Sequence, residues 1–374
     1  MSEDIGQLAS NEGGPGRRNS YVLRFWSLGV YVVTAALGCG DSGDDRDSRE
    51  SEPDATSGVE LQAFHQMFTA VDTLVLEQPE NVARSFPLLY MDPQGGFLIA
   101  DPPANQVRVY SRTGELEDVF EGGSGKADSL REPSSAARLE NGDIIAANAM
   151  SGRLVPIPIR HEEDVLPLET SLGRLRLLQV LEERKILIAG RDAAYARNLL
   201  HIWDLSRGEI VKSFLPPPQH LDSNVVETIG RGAYAASRGD RFAAMHGMSD
   251  TLFFFDHAGT QLSSVPIPVE PFLVPEGTLP NIGSMAERRE WIDQFTFLID
   301  VFWIADDELI LQWASGSGDH SVYGLVGMDT TGRQIWSTGG TPLLRGVRDD
   351  GFFFQDPNSA VPNRVVVAIR KPSS

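Results

Sequence analysis

Six short apolar runs in this sequence each close on a residue that could bind or react. They end in Asp101 (97–101), Asn148 (144–148), Gly190 (186–190), His246 (242–246), Trp313 (309–313) and Asp356 (352–356), and Asn105 and Arg191 follow close behind two of them. If each run is a strand feeding one shared set of loops, these carboxylate, amide, imidazole, guanidinium and indole groups would ring a single mouth. Asp and Asn offer hard oxygen donors of the kind Ca2+ takes, and the mixed set suits an organic ligand. The same residue types also have plain structural uses. Asp101, Asn148 and Asp356 can accept from turn amides, and Trp313 and His246 can pack between elements. No Ser sits in Gly-x-Ser-x-Gly, and His161-Glu-Glu-Asp164 starts like a helical metal motif but has no second His. Gly125-Lys126 has Phe120 where a phosphate loop needs Gly and Ala127 after the Lys, so it reads as a loop. Catalytic residues and metal ligands are therefore not assigned.

The elements that would position this rim repeat along the chain. Each apolar run follows turn chemistry: 93–96 (Pro-Gln-Gly-Gly), 140–143 (Glu-Asn-Gly-Asp), 182–185, 237–240 (Ser-Arg-Gly-Asp), 306–308 and 349–351 (Asp-Asp-Gly). In four units a further strand closes on a glycine, at Gly114, Gly208, Gly259 and Gly332. Their spacings of 94, 51 and 73 residues fit two units, one unit, and one unit plus an insertion. The insertion is residues 270–296, where Ser284-Met-Ala-Glu287 forms a capping box leading into a short helix over 288–295. About 46 residues per unit matches a four-stranded propeller blade. After 364–370 the last unit has only three strands, and Asp72–Glu77 ahead of the first unit is the natural fourth. The fold expected is all-β: a six-bladed β-propeller over residues 61–374, closed by an N-terminal strand that hides the open edge, with one short helical insertion.

The chain carries 32 Lys+Arg against 52 Asp+Glu, a net charge of −20, which argues against a nucleic-acid surface. A hydrophobic fraction of 41% is too high for a disordered polyanion. The single Cys excludes an internal disulfide and a zinc finger. Residues 1–38 read as a signal peptide: Arg17, Arg18 and Arg24 precede an apolar run over 25–38, shorter than the about 20 residues a membrane-spanning helix needs. Ala36-Leu37-Gly38-Cys39 resembles the lipobox of bacterial lipoproteins, and the resemblance implies a lipid on Cys39. With Gly40 rather than Asp next, it implies the outer membrane. Residues 39–60 are acidic and polar, a tether between lipid and folded body.

Asp92-Pro-Gln-Gly-Gly-Phe-Leu-Ile-Ala-Asp101, then Asn105-Gln-Val-Arg-Val-Tyr110, Gly114, Gly122-Gly-Ser-Gly125 and Arg131-Glu-Pro133 resemble the repeat of NHL-type six-bladed β-propellers, within the TolB-like group. Bacterial lipoproteins of that type are the nearest match, and the likeness covers 87–148. It implies a lipid-anchored cell-envelope propeller, facing the periplasm or the surface, that binds a partner protein, peptide or glycan without catalysis. Related rings of the gluconolactonase and strictosidine synthase kind hold a metal on inner strands, so the alternative is a Ca2+-dependent hydrolase or lyase of lactonase type. None of their ligands is carried onto this chain.

Overall fold

A computed structural model of the chain describes residues 63–77, 88–92, 95–122, 130–148, 151–157, 172–182, 184–192, 198–218, 232–269, 275, 284–316, 321–349, 351–356 and 363–372. The signal peptide, Cys39, the tether and most of the 270–296 insertion lie outside the described residues.

Six antiparallel sheets follow one another along the chain. The first blade is β2 (Leu88–Met91), β3 (Phe97–Asp101), β4 (Gln106–Tyr110) and β5 (Leu116–Glu121). The second, among the described residues, is β6 (Pro133–Arg138), β7 (Ile144–Asn148) and β8 (Arg153–Ile157). The third is β9 (Leu172–Glu182), β10 (Lys185–Asp192), β11 (Leu200–Asp204) and β12 (Glu209–Phe214). The fourth is β13 (Ala233–Arg238), β14 (Arg241–His246), β15 (Thr251–Asp256) and β16 (Gln261–Pro266), and the fifth is β17 (Thr296–Trp303), β18 (Glu308–Ser315), β19 (Val322–Asp329) and β20 (Gln334–Thr341). The sixth joins β21 (Leu344–Arg348), β22 (Gly351–Gln355) and β23 (Arg364–Arg370) to β1 (Phe68–Val75) from the other end of the chain. Each blade's first strand touches the first strand of the next, and β21 touches β2, so these strands form an inner ring that closes. All six apolar runs are second strands, as their spacing predicts.

Blade contacts are apolar on both faces, which is why the strand interiors read as continuous hydrophobic runs rather than alternating ones. One cluster joins blades four and five through Met245, Phe254, Leu298, Leu311 and Val326. Another joins three and four through Leu187, Ile202, Phe242 and Phe255. The closing strand β1 starts four residues before the segment expected from the sequence, because Phe68 anchors it. Its ring meets Phe352 at 5.1 Å, Phe354 at 5.2 Å and Phe64 at 5.4 Å between centroids. Aromatic pairs at these spacings add to the gain from burial. Antiparallel pairing from Phe68↔Arg370 to Val75↔Arg364 then covers the edge of β23.

The turn after the third strand is the same device in four blades. Asp204, Asp256 and Asp329 each fold a carboxylate oxygen back onto amides of the turn: Ser206 at 2.9 Å and Arg207 at 3.2 Å, Ala258 at 2.9 Å and Thr260 at 2.8 Å, Thr331 at 3.0 Å and Arg333 at 3.1 Å. Ser111 does the same for Thr113 and Glu115 in the first blade. The chain then needs a left-handed residue, supplied by Gly114, Gly208, Gly259 and Gly332 with φ between 66° and 91°.

Helix α1 (Met285–Ile292) follows Ser284, whose Oγ accepts from the Glu287 amide while the Glu287 carboxylate accepts from the Ser284 amide. The capping box sits where the sequence puts it. The helix starts three residues earlier than expected, since it begins at once after its cap, and Asp293 ends it. Ile292 packs on Met248 and Phe297, holding the helix against the loop that follows β14 and the start of β17. Among the described residues, no helix is long and apolar enough to cross a membrane.

Candidate binding site in the central channel

In every blade the end of the second strand lies opposite the start of the first: Ala100 pairs with Leu88, Asn148 with Pro133, Asp192 with Leu172, His246 with Ala233, Ser315 with Thr296 and Phe354 with Leu344. The expected rim residues thus lie toward one mouth of the ring, but one strand outward from the channel. Asp101 is fully buried in an ion pair with the buried Arg108, and its other oxygen accepts from the Ala104 amide at 3.2 Å. Asn105, at φ 52°, accepts from the Glu132 amide at 2.7 Å and so ties blade one to blade two. Asn148 accepts from the Arg131 amide at 3.1 Å. The His246 ring accepts from the Met248 amide at 3.1 Å, on the loop against which Ile292 of α1 packs. Asp356 lies 3.3 Å from the Arg364 guanidinium. Trp313 packs into the core between blades four and five, its indole against Gly324, where a side-chain carbon would come within 2.2 Å of the ring. Arg191 is on β10, paired with Gly173, and its side chain lies outside the described residues. Asp101, Asn105, Asn148, His246 and Asp356 each have a partner within their own blade or a neighbouring turn.

A different set converges on the channel from the innermost strands. Arg176 on β9 lays its guanidinium over the Tyr234 ring of β13, 4.8 Å from the centroid, and also feels Tyr90 of β2 and Asp300 of β17. Arg345 on β21 donates to Gln355 Oε1 at 2.5 Å and interacts with Asp300, Tyr90 and Tyr323 of β19. The Tyr90 hydroxyl donates to the Ser134 carbonyl at 2.7 Å, which brings in blade two. Side chains of blades one, three, four, five and six therefore share one electrostatic neighbourhood.

Backbone irregularities set these directions. The β17–β18 register slips between Leu298 and Asp300, making Ile299 the extra residue, and the β21–β22 register slips between Leu344 and Gly346, making Arg345 itself the extra residue. A bulge re-aims the side chains around it, so Asp300 no longer shares the face of Leu298. Asp300 lies directly across from Gln312 of β18, and both share a face with Ile310 and Leu325, toward blade six.

The electrostatics follow from burial among like and unlike neighbours. Burial pushes the Asp300 carboxyl above its ordinary value, against the pull of Arg176, the Val301 amide and Arg345. Burial lowers Arg345, whereas Tyr90, Tyr234 and Asp300 outweigh burial at Arg176 and raise it. Both guanidiniums stay charged. Among the described residues no three His, Cys, Asp or Glu side chains gather as a metal site. This inner set escaped the sequence reading, which followed the ends of the second strands. The available signal was a charge inside an apolar strand: Asp300 is the single one within 296–303, whereas Arg176 shares 172–182 with Arg174 and Glu182.

No protein-family model and no curated protein matches the chain in sequence. Solved structures do match in shape. A member of the DUF4221 family from Bacteroides vulgatus aligns over 81% of this chain and 97% of its own, with a TM-score of 0.55 and 10% identity. A protein from Bacteroides fragilis described as a candidate exported protein aligns over 77% of this chain and 84% of its own, with a TM-score of 0.50 and 13% identity. Virginiamycin B lyase from Staphylococcus aureus aligns over 75% and 79%, with a TM-score of 0.40 and 10% identity. At these identities the likeness is one of fold: the chain is a six-bladed β-propeller, as its repeats and their resemblance to NHL-type rings imply.

Proposed function

We propose that this propeller binds rather than catalyses, and that it takes its ligand, part of a partner protein, peptide or glycan, into the mouth of the central channel. The observation that carries the reading is the Arg176, Arg345, Asp300, Tyr90 and Tyr234 set. These polar groups from five blades meet only because the ring closes, and the apolar blade interfaces do not need them. A Ca2+-dependent hydrolase or lyase would want several oxygen donors at one point, and the channel set pairs one carboxylate with two guanidiniums. Catalysis is accordingly the weaker reading. We also assign the protein to the cell envelope, exported and lipid-anchored through Cys39, with Gly40 favouring the outer membrane of a diderm host. The apolar run ending at Cys39, the acidic tether and the Bacteroides fragilis neighbour described as a candidate exported protein support this.

The test screens the full-length chain in detergent against acidic and neutral peptides and oligosaccharides by thermal shift, beside Arg176→Met. A compound that stabilises the native chain and loses its shift in the variant is the expected result. Shifts that persist in the variant, or turnover of a stabilising compound, overturn the reading. Cys39→Ala should release the chain from the membrane fraction, and retention there refutes the anchor.

A further inference from the structure

Two observations beside the channel set remain unexplained by the fold. Gln312 is 0% exposed, and among the described residues neither its amide oxygen nor its amide nitrogen has a hydrogen-bond partner. The Arg176 Nε is buried and likewise without one. A buried polar atom left unpaired costs about 1–3 kcal/mol, so such atoms mark places where something else supplies the bond. Both sit around Asp300: Gln312 is its cross-strand partner, and Arg176 acts on it across the channel.

We infer that this cluster is a subsite for a small organic hydroxy-carboxylate, with Arg176 and Arg345 taking the carboxylate and Asp300 with Gln312 taking a neighbouring hydroxyl. The inference rests on the channel being the binding site and adds the chemistry of what it holds. Two guanidiniums against one carboxylate leave one positive charge over, which a monoanion neutralises. A planar carboxylate suits a guanidinium fork, and Arg176 Nε is an edge donor still open to it. A dianionic phosphate would meet the Asp300 carboxylate at close range, where like charges repel. Asp300 accepts from a hydroxyl, and the Gln312 amide can both donate and accept, so a hydroxyl satisfies the two together. The Tyr90 and Tyr234 rings supply flat, half-polar walls of the kind that sugar-like ligands stack on.

The probe is glucuronate, titrated by calorimetry into the full-length chain in detergent. Glucose, which lacks the carboxylate, propionate, which lacks the hydroxyls, and inorganic phosphate serve as comparators. Saturable glucuronate binding, about tenfold or more tighter than each comparator, is the expected result. Gln312→Leu is the decisive variant. It removes an unpaired buried amide at nearly constant volume, so the protein should keep or gain stability to urea while glucuronate affinity falls about tenfold. Arg345→Met should lower glucuronate affinity by at least as much, with far-UV circular dichroism showing the fold intact. Glucose or phosphate binding as tightly as glucuronate, absence of saturable glucuronate binding, or a Gln312→Leu variant that binds undiminished overturns the inference. If these fail while the peptide and oligosaccharide shifts remain sensitive to Arg176→Met, the channel is still the site and only the ligand class is wrong. If those shifts are insensitive too, both readings fall.

Discussion

Asp101 and Arg108 offer a measurement that separates a structural carboxylate from a functional one. Their side chains are 0% and 1% exposed and bonded to each other, and the Arg108 guanidinium also reaches the Tyr110 hydroxyl at 3.4 Å. Asp101→Asn keeps an acceptor for the Ala104 amide but leaves a guanidinium charge buried without its counter-ion. Losing one partner of such a pair costs about 3–5 kcal/mol, a large share of the roughly 5–15 kcal/mol that holds a domain folded. Arg108→Met leaves the opposite orphan, a bare carboxylate, at a similar cost. Combining the two removes both charges and lets Met fill the space, so the double variant should recover about 2 kcal/mol or more relative to the sum of the single losses. Urea unfolding of the full-length chain, with midpoints compared at constant slope, reads these differences directly. Ligand affinity in the double variant should match the native chain, because the pair lies one strand out from the channel. Single variants that each cost under about 1 kcal/mol and simply add would refute the claim that the pair is buried and coupled. A stable double variant that loses ligand would return Asp101 to the binding site.

Other expectations follow from the same packing. Phe68→Ala, at the ring of aromatics that anchors β1, should cost about 3–5 kcal/mol in urea unfolding, and a cost below about 1 kcal/mol would mean that β1 does not close the sixth blade. Gly324→Ala would place a carbon 2.2 Å from the Trp313 ring; it should cost about 1–3 kcal/mol and change the near-ultraviolet dichroism, and an unchanged spectrum would show the indole lies elsewhere. Asp204, Asp256 and Asp329 are held below the usual carboxylate value by the Ser206 hydroxyl, the Thr260 amide and the Thr331 hydroxyl respectively, their largest causes. Their contribution to stability is therefore full above pH 3.8 and is lost as pH falls toward their lowered values. Replacing all three with Asn should flatten the acid limb of the melting-temperature profile, and an unaltered limb would refute it.

How much of this was legible in the sequence depends on whether a feature is local. The turns are: Asn-Gly at 141–142, Asp-Gly at 350–351 and the Asp-to-Gly spacing of 329–332 each encode a conformation within four residues, the first two ahead of second strands and the last after a third strand. The capping box at Ser284 is equally local. Strand closure was legible by subtraction, since the last unit lacked a strand and the segment before the first unit had no partner. Its exact start was not, because Phe68 earns its place by meeting Phe352 and Phe354 from the other end of the chain. The channel set is non-local in the same way. Arg176, Tyr234, Asp300 and Arg345 are separated by 58, 66 and 45 residues in sequence, and nothing in any one segment says that they meet.

The bulges explain why a regular pattern search passes over such a site. A propeller blade repeats its apolar residues on both faces, so its interior takes a charge either as a bonded pair, as with Asp101 and Arg108, or where the repeat is broken. In β17 and β21 the break is one extra residue, which turns Asp300 and Arg345 away from the cores that Leu298 and Leu344 enter. The same irregularity that blurs the strand in sequence creates the opening for a polar group in space. A chain of net charge −20 then presents two guanidiniums in the channel, where the surrounding walls exclude most of the solvent that would weaken them. The exterior field repels anions at a distance, but beyond about 8 Å it is screened at physiological salt. What reaches the mouth is therefore selected by the few groups within contact range, and those groups favour a carboxylate with a hydroxyl beside it.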